Sequence, residues 1–494
     1  MRVMLMAKPT KDLIDSAMFG MRATLAGTAG QTDSIDPKAV PSLSGFRTDE
    51  RFAASPLDAR SSVALRRAVA GDAAFAAREV DVLESADDSM LLVRGTLEDD
   101  ALPEARKRLE GSNFAIFSDP RIAPFAKASK AKAKKKAKAA EDSRSEEAPE
   151  IVCDGHGPVG TASDVAARLG AGRLAANGYD GRGVAVAMVD SGVNIEHLRR
   201  RGRVTRFDPH LSWAPHPFLV PGDMPVGHGT MTAYAVGIAA PEATLLDLAV
   251  IAQDTDEPFA SYLSDASRVY GTILLAMMSM DDGERPYHSL VVSNSWGVPH
   301  ESFEVFPPGD PGRYIDNPNH PFNLQVANLA RCGADILFAA GNCGPDCPTP
   351  ACRGDSENTI MGANGHPDVT CVAGATVDGM ITGYSSKGPG RLAGHKPDIT
   401  GYTHFDGSRT VHASIPDKGT STACPVVAGV VAAMRSRVPY QRSLPGRDPA
   451  VLRQVMIDRA RPHGDCGGWH ERYGSGLVNA APLDKDERAR LEAD

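Results

Sequence analysis

The residues in this sequence best suited to covalent chemistry lie at Gly419-Thr420-Ser421-Thr422-Ala423-Cys424-Pro425. Gly419 permits a tight turn, and residues 426–434 are small and apolar, as a helix buried on all sides requires. Pro425 fits near a helix start, where its missing N–H breaks no hydrogen bond. The pattern puts Ser421 at a helix N-terminus, where free N–H groups and the dipole favour developing negative charge. A hydroxyl placed there is a candidate nucleophile, and it needs a base, an orienting acid and an oxyanion donor.

Three other positions offer those types. Asp190, in Val189-Asp190-Ser191-Gly192, reads as a strand-end cap in ordinary turn chemistry or as an orienting acid. His228 sits between glycines in Gly227-His228-Gly229-Thr230, with room for a substrate beside it. Histidine also has many structural uses, and the chain carries 14 of them. Asn342, in Ala340-Gly341-Asn342-Cys343, presents a side-chain amide to an oxyanion or is simply tolerated in a turn.

The elements that must position these residues are legible from residue 151 onward. Apolar runs at 184–189, 243–251, 289–292, 334–340 and 369–375 read as strands buried on both faces. Helical stretches at 229–239, 260–280 and 322–332 lie between them. The alternation predicts an α/β fold, a mostly parallel sheet flanked by helices. In such folds functional groups gather at the carboxyl ends of the strands.

With these motifs in hand, the chain resembles the subtilisin-like serine proteases. The resemblance rests on Asp190-Ser191-Gly192, Gly227-His228-Gly229-Thr230, Ala339-Ala340-Gly341-Asn342 and Gly419-Thr420-Ser421, in that order. Ser295-Trp296-Gly297, Tyr384-Ser385-Ser386-Lys387-Gly388-Pro389 and Tyr473-Gly474-Ser475-Gly476 support it, and it covers roughly residues 155–481. It implies a serine endopeptidase acting on peptides or proteins, with Ser421 as nucleophile and His228 as general base and acid. Asp190 would orient the imidazole, and Asn342 with the Ser421 N–H would hold the oxyanion. By the same resemblance Ser295, Trp296 and Gly297 form one edge of the substrate cleft, and Gly362 lies at the floor of the primary specificity pocket. Trp296 there suggests a preference for apolar residues upstream of the cut. The alternatives are a peptide-binding pseudoprotease or a protease dedicated to one partner.

Composition sets the bounds. The chain has 494 residues, 42% hydrophobic and 23% charged, with a net charge of −9. That balance suits one large globular domain plus a smaller one and argues against general nucleic-acid binding. No apolar run approaches a membrane span, and Met1 to Lys8 is too short an apolar stretch for a signal peptide. Eight cysteines fit reduced thiols in a cytoplasmic protein better than a disulfide scaffold. Cys343, Cys347 and Cys352 invite a metal reading but lack a fourth ligand. Cys424 reads as a small hydrophobe that could expose the site to thiol reagents. Calcium, which family members often bind, is not assignable, because no acidic cluster has convincing ligand spacing. No metal or cofactor is therefore expected.

The N-terminal part divides into residues 1–125 and a charged linker at 126–150, Lys-rich and then acidic, ahead of the catalytic region at 151–494. Residues 1–70 give no readable pattern. Strands at 80–83, 90–93 and 113–117 around a helix at 97–109 make a small α/β unit ending near Phe125. It reads as a propeptide-like inhibitory domain or a permanent regulatory one, with cleavage expected in the linker.

Overall fold

The computed structural model describes residues 1–25, 35, 39–50, 52–57, 90–124, 151–203, 206–216, 218–251, 261–281, 287–463 and 468–492. The strand expected at 80–83, Phe125 and the charged linker lie outside these residues.

The apolar runs become a seven-stranded sheet. Its strands are β7 (Val184–Asp190), β8 (Arg206–Phe207), β9 (Thr244–Ala249), β10 (Ser289–Asn294), β12 (Asp335–Ala339), β13 (Thr370–Ala375) and β14 (Ile399–Tyr402). The order is β14-β13-β12-β10-β7-β9-β8, and every pairing is parallel. All residues of β7 and β10 are buried, so neither face shows the alternation of a half-exposed strand.

Helices α3 (His228–Val236) and α6 (Thr420–Arg435) pack on one face of the sheet; α4 (Leu263–Asp281) and α5 (Pro321–Arg331) pack on the other. Every residue of α6 is buried, and its small side chains let neighbours come close. A Cβ on Gly429 would lie 2.4 Å from the Val236 carbonyl oxygen of α3.

Ahead of this unit stands a small antiparallel sheet. It is built from β1 (Arg2–Ala7), β2 (Phe46–Thr48), β3 (Ser55–Pro56), β4 (Leu91–Leu97) and β5 (Phe114–Ser118), with helices α1 (Lys11–Leu25) and α2 (Leu102–Leu109). The chain's first apolar residues are thus an inner strand, paired with β4 on one side and β5 on the other. Alternation explains why both faces are apolar: Val3, Leu5 and Ala7 enter a core with α1 and α2, while Met4 faces the large sheet's helices. The core under α4 and α5 is therefore shared between the two parts of the chain.

The cysteines correct the sequence reading. Cys153 bonds to Cys347 and Cys343 to Cys352. Among the described residues, Cys371 and Cys424 are buried free thiols. The Cys153–Cys347 partners are 194 residues apart, so no local spacing announces the pair.

Replacing Gly429 with Ala gains about 1 kcal/mol of helix propensity but forces a methyl against backbone that cannot move cheaply. Gly429→Ala is expected to lower unfolding stability by roughly 1–2 kcal/mol net in urea titration.

Candidate active site

Asp190 is the last residue of β7 and is buried. Its Oδ1 lies 2.7 Å from His228 Nδ1 and also accepts from the Ser191 N–H at 2.7 Å. Thr232 Oγ1 donates to Oδ2 at 3.3 Å. A carboxylate at this distance only accepts, so Nδ1 carries the proton and Nε2 is left as the acceptor. That Nε2 is buried and has no hydrogen-bond partner among the described residues. His228 is the first residue of α3, held there because the Gly229 N–H donates to Ser191 Oγ at 2.9 Å. Gly229 cannot carry a side chain: its Cβ would lie 2.5 Å from the Gly192 carbonyl oxygen.

Ser421 is the second residue of α6 and fully buried. Its Oγ donates to the Ser295 carbonyl at 3.3 Å, and Ser295 Oγ donates to the Ser421 carbonyl at 2.9 Å. The second bond has a cause in the sequence. Pro425 lies inside α6, deeper than a first-turn proline, and lacks the N–H that would bond to the carbonyl four residues back, which is that of Ser421. Ser295 satisfies the freed oxygen. Thr422, the next residue, points its hydroxyl to Met231 Sδ at 3.7 Å, so the starts of α6 and α3 adjoin.

Asn342 follows β12. Its Oδ1 accepts from the Thr420 N–H at 2.9 Å and Thr420 Oγ1 at 3.1 Å. This fixes the amide so that Nδ2 points toward Gly419, whose Cβ would meet it at 2.7 Å. Gly419 has φ +83°, so the turn needs glycine for both reasons. The structure thus brings Asp190 and His228 into contact, and sets Asn342 and Ser295 against the turn that carries Ser421.

The remaining expected residues form one wall. Trp296–Gly297 is a short strand, β11, next to Ser295 and so beside the turn that carries Ser421. The Trp296 indole does not line a cleft; it is core, packed on Phe322 and Phe338 at 5.9 and 5.5 Å between ring centroids. The Gly362 N–H donates to the Ile315 carbonyl, and a Cβ on Gly362 would overlap the Tyr314 ring. Asn364 Nδ2 donates to both the Trp296 and Ala339 carbonyls at 2.9 Å, tying the wall to β12.

The free edge of β11 is already paired. Strand β6 (Ala123–Pro124) lies antiparallel to it, with Trp296 opposite Pro124 and Gly297 opposite Ala123. On the other side the Ile122 N–H donates to the Ser261 carbonyl and the Leu263 N–H to the Pro120 carbonyl, both at 3.0 Å. Ile122 is buried in the shared core. Asp119 caps α4, accepting from the Ser264 N–H and hydroxyl at 2.8 Å each. Sequence reasoning missed Ser261 and the strand at 123–124, because neither carries a motif and the partners are far apart in the chain.

Two buried groups bear on the site's electrostatics. Burial pushes the Cys424 thiol up to about 12, so it stays protonated and packs as the small hydrophobe expected, not open to thiol reagents. Burial, with the Asp190 charge adding to it, raises Asp247 on β9 to about 7. Among the described residues no cluster of His, Cys, Asp or Glu gathers to hold a metal ion.

Comparison with known proteins gives the family. Residues 181–476 match the model of the subtilase family, and the chain belongs to that family. It is 27% identical over 311 residues to the subtilisin-like protease PopC of Myxococcus xanthus, covering 58% of this chain and 59% of PopC. It is likewise 27% identical over 331 residues to the serine protease AprX of Bacillus subtilis, covering 61% of this chain and 66% of AprX. The matches thus span under two thirds of either relative.

Ser295→Ala leaves the Ser421 carbonyl buried without a donor, and is expected to cost about 1–3 kcal/mol in thermal or urea unfolding. Asp247 has a folded pKa raised to about 7. Its stabilising contribution is therefore complete below its unfolded value near ~4 and lost as pH rises through about 7. Asp247→Asn is expected to show a smaller decline in unfolding free energy than wild type between pH 5 and 8.

Proposed function

We propose that this chain is a serine endopeptidase that hydrolyses peptide bonds through Asp190, His228 and Ser421 by way of an acyl-enzyme. The observation that carries the reading is the 2.7 Å contact of Asp190 with His228 Nδ1, which leaves Nε2 open as a base. In the first step the Ser421 hydroxyl turns from the Ser295 carbonyl to Nε2 and attacks the substrate carbonyl as its proton passes to His228. Asp190 stabilises the imidazolium so formed, which then protonates the leaving amine. Charge on the tetrahedral oxygen is met by Asn342 Nδ2 and the Ser421 N–H at the positive end of α6. Water repeats the sequence to free the acid.

In this reading residues 1–124 are an inhibitory unit that delivers β6 to the substrate-binding edge. Backbone pairing with β11 is the mode by which an extended substrate would bind, so an occupied edge excludes substrate. Cleavage within residues 125–150 is then the activating event. Two disulfides favour an oxidising compartment over the cytoplasm expected from the cysteine count. Among the described residues no helix is long and apolar enough to cross a membrane.

The test is labelling with a fluorophosphonate probe. Wild type is expected to label and to separate into two pieces on a denaturing gel, and Ser421→Ala to do neither. A wild-type chain that takes no serine-dependent label after linker cleavage would sink the enzyme reading. A Ser421→Ala chain that still splits at 125–150 would remove self-processing. Asp190→Asn is expected to reduce turnover by about 10⁴-fold through the wrong tautomer of His228.

A further inference from the structure

The first described residues after the linker make contacts that motif chemistry does not account for. The Val152 carbonyl accepts from the Gly383 N–H at 2.9 Å, and Cys153 is bonded to Cys347. Asp154 receives Lys418 Nζ twice, at its carbonyl (3.1 Å) and at Oδ1 (2.8 Å). Lys418 is almost buried and immediately precedes Gly419-Thr420-Ser421.

From His156 a hydrogen-bond chain of fixed direction runs to the same turn. The Gly419 N–H donates to Tyr384 Oη, and Tyr384 Oη sits 3.2 Å from His404 Nδ1. His404 Nε2 lies 3.2 Å from the His156 carbonyl. A carbonyl only accepts, so Nε2 carries the proton and Nδ1 accepts from the tyrosine. Every member is thereby satisfied with one neutral tautomer of His404. Burial holds that imidazole at about 4, so it stays neutral.

The other end of the contact set reaches Asn342. The Gly344 N–H donates to the Tyr384 carbonyl at 2.7 Å and the Thr349 N–H to the Asn342 carbonyl at 2.9 Å. Cys343–Cys352 closes this loop on the residue next to Asn342. Cys347, tied to Cys153, sits within it.

We propose that residues 152–156 are a positioning clamp that sets the spacing between Asn342 and the turn carrying Ser421. Cys153 with Cys347 grips the first loop, and Asp154 with Lys418 grips the second. This rests on the reading that Asn342 and the Ser421 N–H receive the oxyanion. Those donors are aimed at a charge that exists only in the transition state, so loosening the clamp acts on kcat and spares ground-state binding. Misplacement by an ångström is worth about 10²-fold in rate.

The experiment uses the full chain with a peptide substrate, with turnover expressed per site labelled by fluorophosphonate. Labelling is scored on wild type first, so a failure of the protease reading appears before the clamp is scored. Two variants cut the clamp at different ends: Cys153→Ser with Cys347→Ser, and Lys418→Met, which touches no disulfide. The expected result is a kcat reduced about tenfold or more in both, with KM within about twofold of wild type. Thermal melting would place both variants as folded at the assay temperature. The clamp is overturned if kcat per labelled site is unchanged in Lys418→Met, or if KM rises while kcat holds.

Discussion

A helix with no exposed side is the constraint on which this structure depends. Helix α6 is buried along all 16 of its residues, and it lies beneath strands of the sheet while crossing α3. Burial of that kind admits only small apolar residues and glycine where backbones meet. A Cβ on Gly401 of β14 would sit 2.4 Å from the Ala423 carbonyl oxygen, as one on Gly429 would from Val236. Because the helix cannot shift, its first turn is a fixed reference point. Ser421, Thr420 and Gly419 inherit that rigidity; Asn342 and Ser295 are hydrogen-bonded to it, and the start of α3, which carries His228, adjoins it through Met231. Pro425 adds to this by freeing one carbonyl, which ties the helix to the wall at Ser295.

The small N-terminal sheet contributes something different. Its strands β1 and β4 are apolar on both faces, one turned to its own helices and one to α4 and α5. Removing it would uncover Met4, Phe52, Leu92 and Phe117 together with their partners. Residues 118–124 extend this contact as backbone: the Ser118 N–H donates to the Gly312 carbonyl, and His320 Nε2 meets the Ser118 carbonyl at 2.9 Å. Arg106 pairs with Asp310 at the rim. The attachment is thus broad, apolar at its centre and polar at its margin, like a stable interface between separate proteins.

The sequence made the candidate site legible and left the wiring obscure, for a physical reason. Asp190, His228, Asn342 and Ser421 each sit in a short motif, because a strand end or helix start of defined geometry needs particular neighbours such as Gly192, Gly229 and Gly419. The fully buried strands were readable because a parallel sheet covered on both sides requires unbroken apolar runs. Strand β14 escaped, being four residues with a glycine inside. Strand β1 escaped because six apolar-rich residues at a chain start read as a failed leader. The Cys153–Cys347 bond, the cap of Asp119 on α4 and the β6–β11 pairing join residues far apart in the chain, and no local pattern encodes such meetings. Trp296 was placed at the cleft edge by its backbone, while its side chain turned inward.

Cys153 is the first cysteine in the chain, so both disulfides lie downstream of residues 125–150. On the inhibitory reading proposed above, β6 in the uncut chain acts as a tethered ligand, presented to β11 at an effective concentration on the order of millimolar. Once the tether is cut, nothing covalent joins the N-terminal unit to the rest. Occupancy of the edge then depends on the dissociation constant and the amount of protein present. On that reading, concentrated material would stay blocked by the released N-terminal piece, and dilution alone would set it free.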